Sequence, residues 1–324
     1  MKKLGVFTSG GDAPGMNACI RAVVRSAIGM GYEVYGIERG YQGMVEGAIH
    51  PMNARSVSNI LQRGGTILRT ARSKEFMTQE GMVKAYRNLD ALGIKSLVAI
   101  GGDGTFKGAE AFCSLYPDLK IVGIPGTIDN DLAGTDFTLG FDTAVNTTIQ
   151  AIDKIRDTAA SHDRLFFVEV MGRDSGCIAL WAALTGGAEE VLLPEKVTDF
   201  DALVKRLQQG AANQKSSSIV IVAEGEKNGG AAKVAEEVKK RLPDYDTKVT
   251  VLGHIQRGGS PTAMDRMLGL RFGVQAVQTL NEGRNRVMIG IYKNEITEVP
   301  LEKAIRDADP IDLRLISIND MMTI

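Results

Sequence analysis

The chain has 324 residues, 44% of them hydrophobic and 24% charged, with a formal net charge of −1. That length accommodates one large or two moderate domains. The near-neutral charge excludes a general basic field for nucleic acid, so a polyanionic substrate needs a local cluster of cations. Cys19, Cys113 and Cys177 lie far apart without C-x-x-C spacing. That fits small buried side chains in a reducing cytosol. No apolar run approaches the ~20 residues of a membrane span. Met1-Lys2-Lys3 runs straight into a strand, which argues against a signal peptide and for a cytoplasmic protein.

In chain order, Leu4–Thr8 reads as a strand, followed by the loop Ser9–Gly15 and a helix to about Gly29. Val34–Ile37 is a short strand, and Val57–Gln62 reads as helical. Leu97–Ile100 is a buried strand ending in Gly101-Gly102-Asp103-Gly104-Thr105. A helix follows, then the strand Ile121–Ile124 and the loop Pro125–Asp131. Thr143–Arg156 reads as a helix, Leu165–Val170 as a strand ending at Met171-Gly172-Arg173, and the segment through Leu184 as a helix. Ile219–Ala223, Val249–Leu252 and Val287–Ile291 are further strands, the last expected to end the strand set. Strand–helix alternation predicts open, mainly parallel sheets covered by helices. Both halves look alike, which predicts two similar three-layer αβα domains with an active-site cleft between them. The boundaries fall at 1–140 plus about 255–305, and 141–254 plus about 306–324.

Three loops carry the chemistry. Gly101–Thr105 suits a phosphate cradle, because glycine admits backbone N–H groups to an oxyanion and a helix N-terminus follows. It equally fits a tight turn with Asp103 capping the helix, and it is neither a Walker loop nor G-x-G-x-x-G. Ser9–Gly15 is the same kind of object, with Gly11 the best point of close approach. In Pro125–Asp131, Thr127, Asp129 and Asp131 alternate, so in an extended loop they share one side. A hydroxyl and carboxylates beside a phosphate suit proton abstraction from an alcohol, whereas a solvated surface turn is the plainer account. Parallel strands bring the acids Asp103, Asp129 and Asp131 to one sheet edge, where a magnesium-bound nucleotide would offset their repulsion. Arg72, Arg164, Arg173, Lys248, His254 and Arg257 sit at strand ends and loops. Each taken singly fits a solvated charge, and His254 a structural histidine.

At these residues the chain resembles the bacterial ATP-dependent 6-phosphofructokinases. Ser9–Asn17 (SGGDAPGMN), Gly101–Thr105 (GGDGT), Pro125–Asp131 (PGTIDND), Glu169–Arg173 (EVMGR) and Gly253–Ser260 (GHIQRGGS) run in the family's order. GGDGT alone also resembles other kinases; PGTIDND with GHIQRGG is specific. The resemblance implies phosphoryl transfer from ATP to the 1-hydroxyl of fructose 6-phosphate, with Mg2+ as cofactor. It places Asp129 as general base, with Thr127, Arg72 and Arg173 beside the transferring group, and Asp131 in the same charge network. Asp103 falls at the magnesium position. Gly11, Arg72, Ser73, Gly102, Gly104, Thr105 and Gly108 fall on the nucleotide side. Thr127, Ile128, Met171, Gly172, Arg173 and Glu224 fall on the sugar. Arg164, Lys248, His254 and Arg257 fall around the 6-phosphate, with 164 and 248 coming from a neighbouring subunit of a homotetramer.

Donor choice follows from two glycines. Pyrophosphate-dependent members resemble GGDD and PKTIDND, with Asp and Lys where this chain has Gly104 and Gly126, so room is left for ATP. Two departures matter. Lys248 stands where Arg is usual and lacks the planar fork for phosphate. In the effector set, Arg21, Arg25, Arg156, Gly187, Glu189 and Lys215 match, but Ala54, Asn213 and Ser217 replace basic residues. Weak or altered regulation is expected, since each charge-assisted hydrogen bond contributes ~1.5–3 kcal/mol. The rivals are a pyrophosphate-dependent enzyme, a non-catalytic sugar-phosphate sensor and another GGDGT kinase. A sensor has no need of Asp129, Asp131 and Arg173 together.

Overall fold

A computed structural model of the chain describes residues 2–159, 164–212, 218–306, 311–312 and 314–322. The elements begin β1 (Lys2–Thr8), α1 (Met16–Gly29), β2 (Tyr32–Ile37), α2 (Gly40–Glu46), β3 (Ile49–Met52) and α3 (Gln79–Ala91). They continue β4 (Ser96–Gly101), α4 (Asp103–Leu115), β5 (Lys120–Pro125), α5 (Phe141–Ala159), β6 (Leu165–Val170) and α6 (Cys177–Gly186). Then come β7 (Glu190–Leu192), α7 (Phe200–Ala212), β8 (Ser218–Ala223), α8 (Gly230–Arg241) and β9 (Thr247–Val251). A 3-10 turn at Gly253–Arg257 precedes α9 (Ala263–Asn281), β10 (Val287–Tyr292), β11 (Glu295–Pro300), α10 (Leu301–Arg306) and α11 (Arg314–Met322). The chain divides into two compact units. One comprises Met1–Ile128, Leu132–Thr143 and Arg257–Asp309; the other comprises Asp129–Asp131, Ala144–Gln256 and Pro310–Ile324.

The first unit holds a seven-stranded sheet in the order β11-β10-β5-β4-β1-β2-β3. Its five inner strands are parallel, and β3 and β11 pair antiparallel at the two edges. β4 (SLVAIG) and β5 (KIVGIP) are buried almost end to end, as strands covered on both faces must be. Phe7, Phe106, Phe112 and Leu97 anchor the core on one side. On the other, α9 packs along α1. Gly273 permits that approach, since a Cβ there would come within 2.6 Å of the Ala22 Cβ.

The second unit holds a four-stranded parallel sheet in the order β7-β8-β6-β9, with Phe167, Leu203, Val220 and Val234 in its core. Both units thus have the mainly parallel α/β architecture expected from the alternation.

The structure corrects two local expectations. Val57–Gln62 is a run of turns, not a helix. The Asn53 side chain accepts from the N–H groups of Arg55 and Ser56, and Asn59 is left-handed (φ 56°), which breaks any helix there. Val57 and Ile60 are buried, so the hydrophobic signal came from packing and not from a helical face. Val287–Ile291 is also not the last strand. β10 turns into β11 through Lys293 and Asn294, both with positive φ (50° and 65°), the backbone of a tight hairpin. Among the described residues, no helix is long and apolar enough to cross a membrane.

Candidate active site

In the first unit, β1 and β4 are neighbours, but the chain leaves β1 toward β2 and leaves β4 toward β5, in opposite directions along the sheet. Open α/β sheets bind ligands beyond the strand carboxyl ends at such a switch point. The two glycine loops stand there. Ser9 N donates to Ile100 O (3.0 Å), and the buried Thr105 Oγ1 donates to Ser9 O (3.2 Å). The Tyr41 hydroxyl donates to Thr105 O (2.6 Å), and its ring stacks on Phe76. These bonds set the loops rigidly against each other. No side chain caps the first turn of α4, which leaves that helix end to an anion.

Asp103 opens α4, and its carboxylate lies 2.7 Å from Lys107 Nζ one turn on, both partly exposed. The glycines differ in kind. A Cβ at Gly104 would meet nothing within 4 Å, so the space over it belongs to no protein atom. A Cβ at Gly126 would meet Ile100 Cγ2 and Met16 Cε at 3.0 Å. Packing therefore accounts for Gly126 without reference to a nucleotide, whereas it does not account for Gly104. Gly108 is likewise a packing glycine, set against the Tyr41 ring. Arg257 lies over Gly11: its Nη1 donates to Asp12 O (3.3 Å) and occupies the space a Cβ at Gly11 would need. No local pattern announces that pairing, which joins residues far apart in the chain. Ser73 Oγ donates to Gln42 Oε1 (2.7 Å) and accepts from Phe76 N (3.1 Å), which closes the turn beside the exposed Arg72. Thr127 and Ile128 are buried, with Thr127 lying next to Gly102.

In the second unit, Asp129 is 2% exposed and its Oδ2 lies 3.5 Å from Arg173 Nε. Asn130 is left-handed (φ 50°), so the chain turns between Asp129 and Asp131. The extended alternation expected of Thr127, Asp129 and Asp131 therefore does not persist to Asp131. Cys177 Sγ donates to Asn130 O (3.7 Å). The loops after β6, β8 and β9 leave one edge of the sheet, because all these strands are parallel and in register. Glu224 Oε1 accepts from Arg173 N (2.8 Å) and Gly172 N (3.3 Å), and so builds the turn that presents Arg173. Arg173 itself is left-handed (φ 53°), a strained conformation of the kind stored at functional sites, costing ~1–3 kcal/mol.

Two side chains that sequence reasoning did not single out organise these loops. Gln256 is fully buried; its Nε2 donates to Gly253 O (3.0 Å), and its Oε1 accepts from Met171 N (3.3 Å) and Thr148 Oγ1 (3.2 Å). It joins the His254 turn to the Met171–Arg173 loop, with His254 itself exposed. Its place inside the GHIQRGG run was the only signal. Asp246 takes Arg164 Nε at 2.8 Å and Lys248 Nζ at 2.7 Å, bringing these two cations together. Their hydrogen bonds hold the Asp246 carboxyl below its usual range. We expect Gln256→Leu to raise KM ~10-fold for the substrate held at the Met171–Arg173 loop, because an orphaned buried N–H at Met171 costs about 1–3 kcal/mol. Steady-state titration of that substrate checks it.

Of the expected effector residues, Arg21 and Arg25 lie on α1. Arg156 Nη2 donates to Gly186 O (2.6 Å) and Gly187 O (2.7 Å), closing the end of α6. Glu189 Oε2 accepts from Ile219 N (2.6 Å). Lys215, Asn213 and Ser217 lie outside the described residues. Among the described residues no three His, Cys, Asp or Glu side chains gather into a metal cage. Mg2+ does not need one, since it is commonly held by one or two carboxylates plus substrate phosphates. A part-exposed Asp103 beside the open space over Gly104 fits that requirement.

A phosphofructokinase family model matches residues 3–280. ATP-dependent 6-phosphofructokinase 1 of Thermus thermophilus is 54% identical over 324 residues, covering 100% of both chains. ATP-dependent 6-phosphofructokinase 2 of Bacteroides thetaiotaomicron is 54% identical, over 98% of this chain and 97% of that one. Among solved structures, phosphofructokinase from Saccharomyces cerevisiae aligns with a TM-score of 0.90 at 36% identity. All of this chain matches 48% of the yeast chain, so it spans about half that length. A pyrophosphate-dependent phosphofructokinase from Marinobacter aquaeolei shares the fold, with a TM-score of 0.84 at 22% identity over 97% of this chain and 86% of that one. The loops at the switch point and the Asp129–Arg173 pair thus sit in a chain that belongs to the phosphofructokinase family.

Proposed function

We propose that this protein is an ATP-dependent 6-phosphofructokinase. It transfers the γ-phosphoryl of MgATP to the 1-hydroxyl of D-fructose 6-phosphate, giving fructose 1,6-bisphosphate and ADP. The observation that carries the reading is the buried Asp129 carboxylate with the Arg173 guanidinium 3.5 Å away, a base and a cation set side by side. Asp129 accepts the 1-hydroxyl proton as that oxygen attacks in line. Arg173 and Arg72 offset charge on the transferring group, and Thr127 touches the sugar or that group. Backbone N–H groups at Gly11 and Gly102–Thr105 hold the nucleotide phosphates, with Ser73 and Gly108 on the same side. Magnesium, when bound, neutralises charge on the terminal phosphates, and Asp103 is the residue that would hold it.

Met171, Gly172, Arg173 and Glu224 orient the sugar phosphate, and Arg164, Lys248, His254 and Arg257 receive its 6-phosphate. Residues 1–140 plus about 255–305 then serve ATP, and 141–254 plus about 306–324 serve fructose 6-phosphate. A homotetramer, with Arg164 and Lys248 supplied by a neighbour, is part of this reading, as is a cytoplasmic setting. Pyrophosphate as donor is disfavoured by the identity to ATP-dependent relatives. The test crosses ATP, GTP and pyrophosphate with fructose 6-phosphate and tagatose 6-phosphate in a coupled assay; turnover with pyrophosphate exceeding that with ATP would reject it. Lys248→Arg is expected to lower KM for fructose 6-phosphate, since the guanidinium fork can bind phosphate in two places. An unchanged or higher KM in the same assay counts against Lys248 as a phosphate ligand.

A further inference from the structure

One buried acid in the first unit has no part in the chemistry above. Asp265 is 0% exposed and lies in the first turn of α9. Its Oδ1 accepts from Gly140 N (2.8 Å), and its Oδ2 accepts from Thr143 N (2.8 Å) and Thr143 Oγ1 (2.5 Å). Burial pushes its carboxyl up to about 6, against the pull of those same hydrogen bonds. The segment it grips is itself bound to the end of β5. Leu139 N donates to Pro125 O (2.8 Å), and the buried Thr138 Oγ1 donates to Thr127 O (2.6 Å). The Asp265 backbone also abuts the Ser9–Gly15 loop: its carbonyl lies 3.2 Å from where a Cβ on Gly15 would stand. Asp265 therefore holds the segment that is bonded to the end of β5, and its backbone lies against the loop after β1.

We propose that Asp265 is a positioning residue for phosphoryl transfer: it clamps Thr138–Thr143 against Pro125–Thr127 and so sets the backbone that presents Thr127 and, two residues on, Asp129. This rests on the phosphofructokinase reading for its kinetic consequence, but not for its structural one. Asparagine keeps the size of the side chain but turns one acceptor into a donor that faces an N–H. Misplacing a reacting group by about 1 Å can cost ~10²-fold in rate.

The full chain is compared with Asp265→Asn, Thr138→Val and Thr138→Ser, each first checked for folding by circular dichroism. Asp265→Asn should lower kcat ~10²-fold and Thr138→Val ~10-fold, with KM for ATP and for fructose 6-phosphate within about threefold of the unaltered chain. Thr138→Ser keeps the hydroxyl and should stay within about twofold. Without any substrate, hydrogen exchange in Asp265→Asn should accelerate across 125–131 as well as 138–143. A folded Asp265→Asn chain with kcat within about threefold of normal, or with only its melting temperature lowered, overturns the proposal. Unchanged exchange across 125–131 overturns it too. Should Asp265→Asn not fold, Thr138→Val decides by the same criteria. An unaltered chain that fails to phosphorylate fructose 6-phosphate refutes the activity, and the exchange measurement still judges the clamp.

Discussion

Asp129→Ser is expected to lower kcat by ~10²–10⁴-fold, while KM for fructose 6-phosphate moves far less. The range is what general-base catalysis typically contributes. Serine retains a polar atom in a buried place but offers no acceptor basic enough for the proton of the attacking hydroxyl. The Asp129 carboxylate is almost fully shielded, and its neighbour is the half-exposed Arg173 at 3.5 Å. Removing it also leaves a cation facing the incoming phosphates, which strengthens ground-state binding and holds KM down. Rate loss and binding loss thus separate. The measurement is a full initial-rate grid in both substrates. A folded variant with near-normal kcat would take Asp129 out of the base role and leave Arg173 as an electrostatic group without a partner in catalysis.

The sequence disclosed the parts of this fold whose signal is local. β4, β5, β6 and β8 are mostly apolar runs with a glycine within two residues of the C-terminal end of each, interrupted only by Gly123 in β5 and Glu169 in β6, and they appear within a residue or two of where the runs lie. The loops that follow them carry the family's motifs, so the candidate residues could be named from the chain alone. What stayed hidden depends on contacts distant in sequence. β3 contains Pro51 and survives as a strand because it lies at an edge, which no local pattern states. β11 is weakly apolar and is held by its hairpin partner.

The same holds for the site. Asp265 could have been noticed as the fourth member of Thr262-Ala263-Met264-Asp265, and Thr262 Oγ1 does accept from Asp265 N. That pattern announces a helix start. It does not announce that the carboxylate reaches Gly140 and Thr143, more than a hundred residues earlier in the chain. Gln256 and Arg257 illustrate the point again. Both lie in a motif read as sugar-phosphate binding, yet Gln256 bonds to Met171 N while Arg257 covers Gly11. Adjacent residues can serve different loops because the 3-10 turn aims successive side chains in different directions.

Gly104→Asp should abolish most ATP-dependent turnover without harming the fold, and it separates donor choice from packing. A Cβ at 104 meets no protein atom within 4 Å, so the substitution adds a carboxylate to free space at the mouth of α4. A unit charge about 4 Å from a phosphate oxygen costs ~4 kcal/mol at an effective dielectric of 20, or ~10³-fold. Solvent reaching this partly open position reduces that, and a fall in kcat/KM for ATP of ~10²–10³-fold is expected. The melting temperature should stay where it is. Gly126→Lys should behave in the opposite way. Its Cβ meets Ile100 and Met16 at 3.0 Å, an overpacking that costs ~1–3 kcal/mol and lowers the melting temperature whatever the donor. Installing both residues of the pyrophosphate-type pattern therefore requires relief of both the Met16 and the Ile100 contacts, for example Met16→Ala with Ile100→Ala, before a charge at 126 can be offered to a second donor. Melting curves and initial rates with ATP on the two single variants decide the matter. Loss of stability in Gly104→Asp would contradict the open space over residue 104, and undiminished ATP turnover with the fold intact would show that this space is not where the nucleotide phosphates lie.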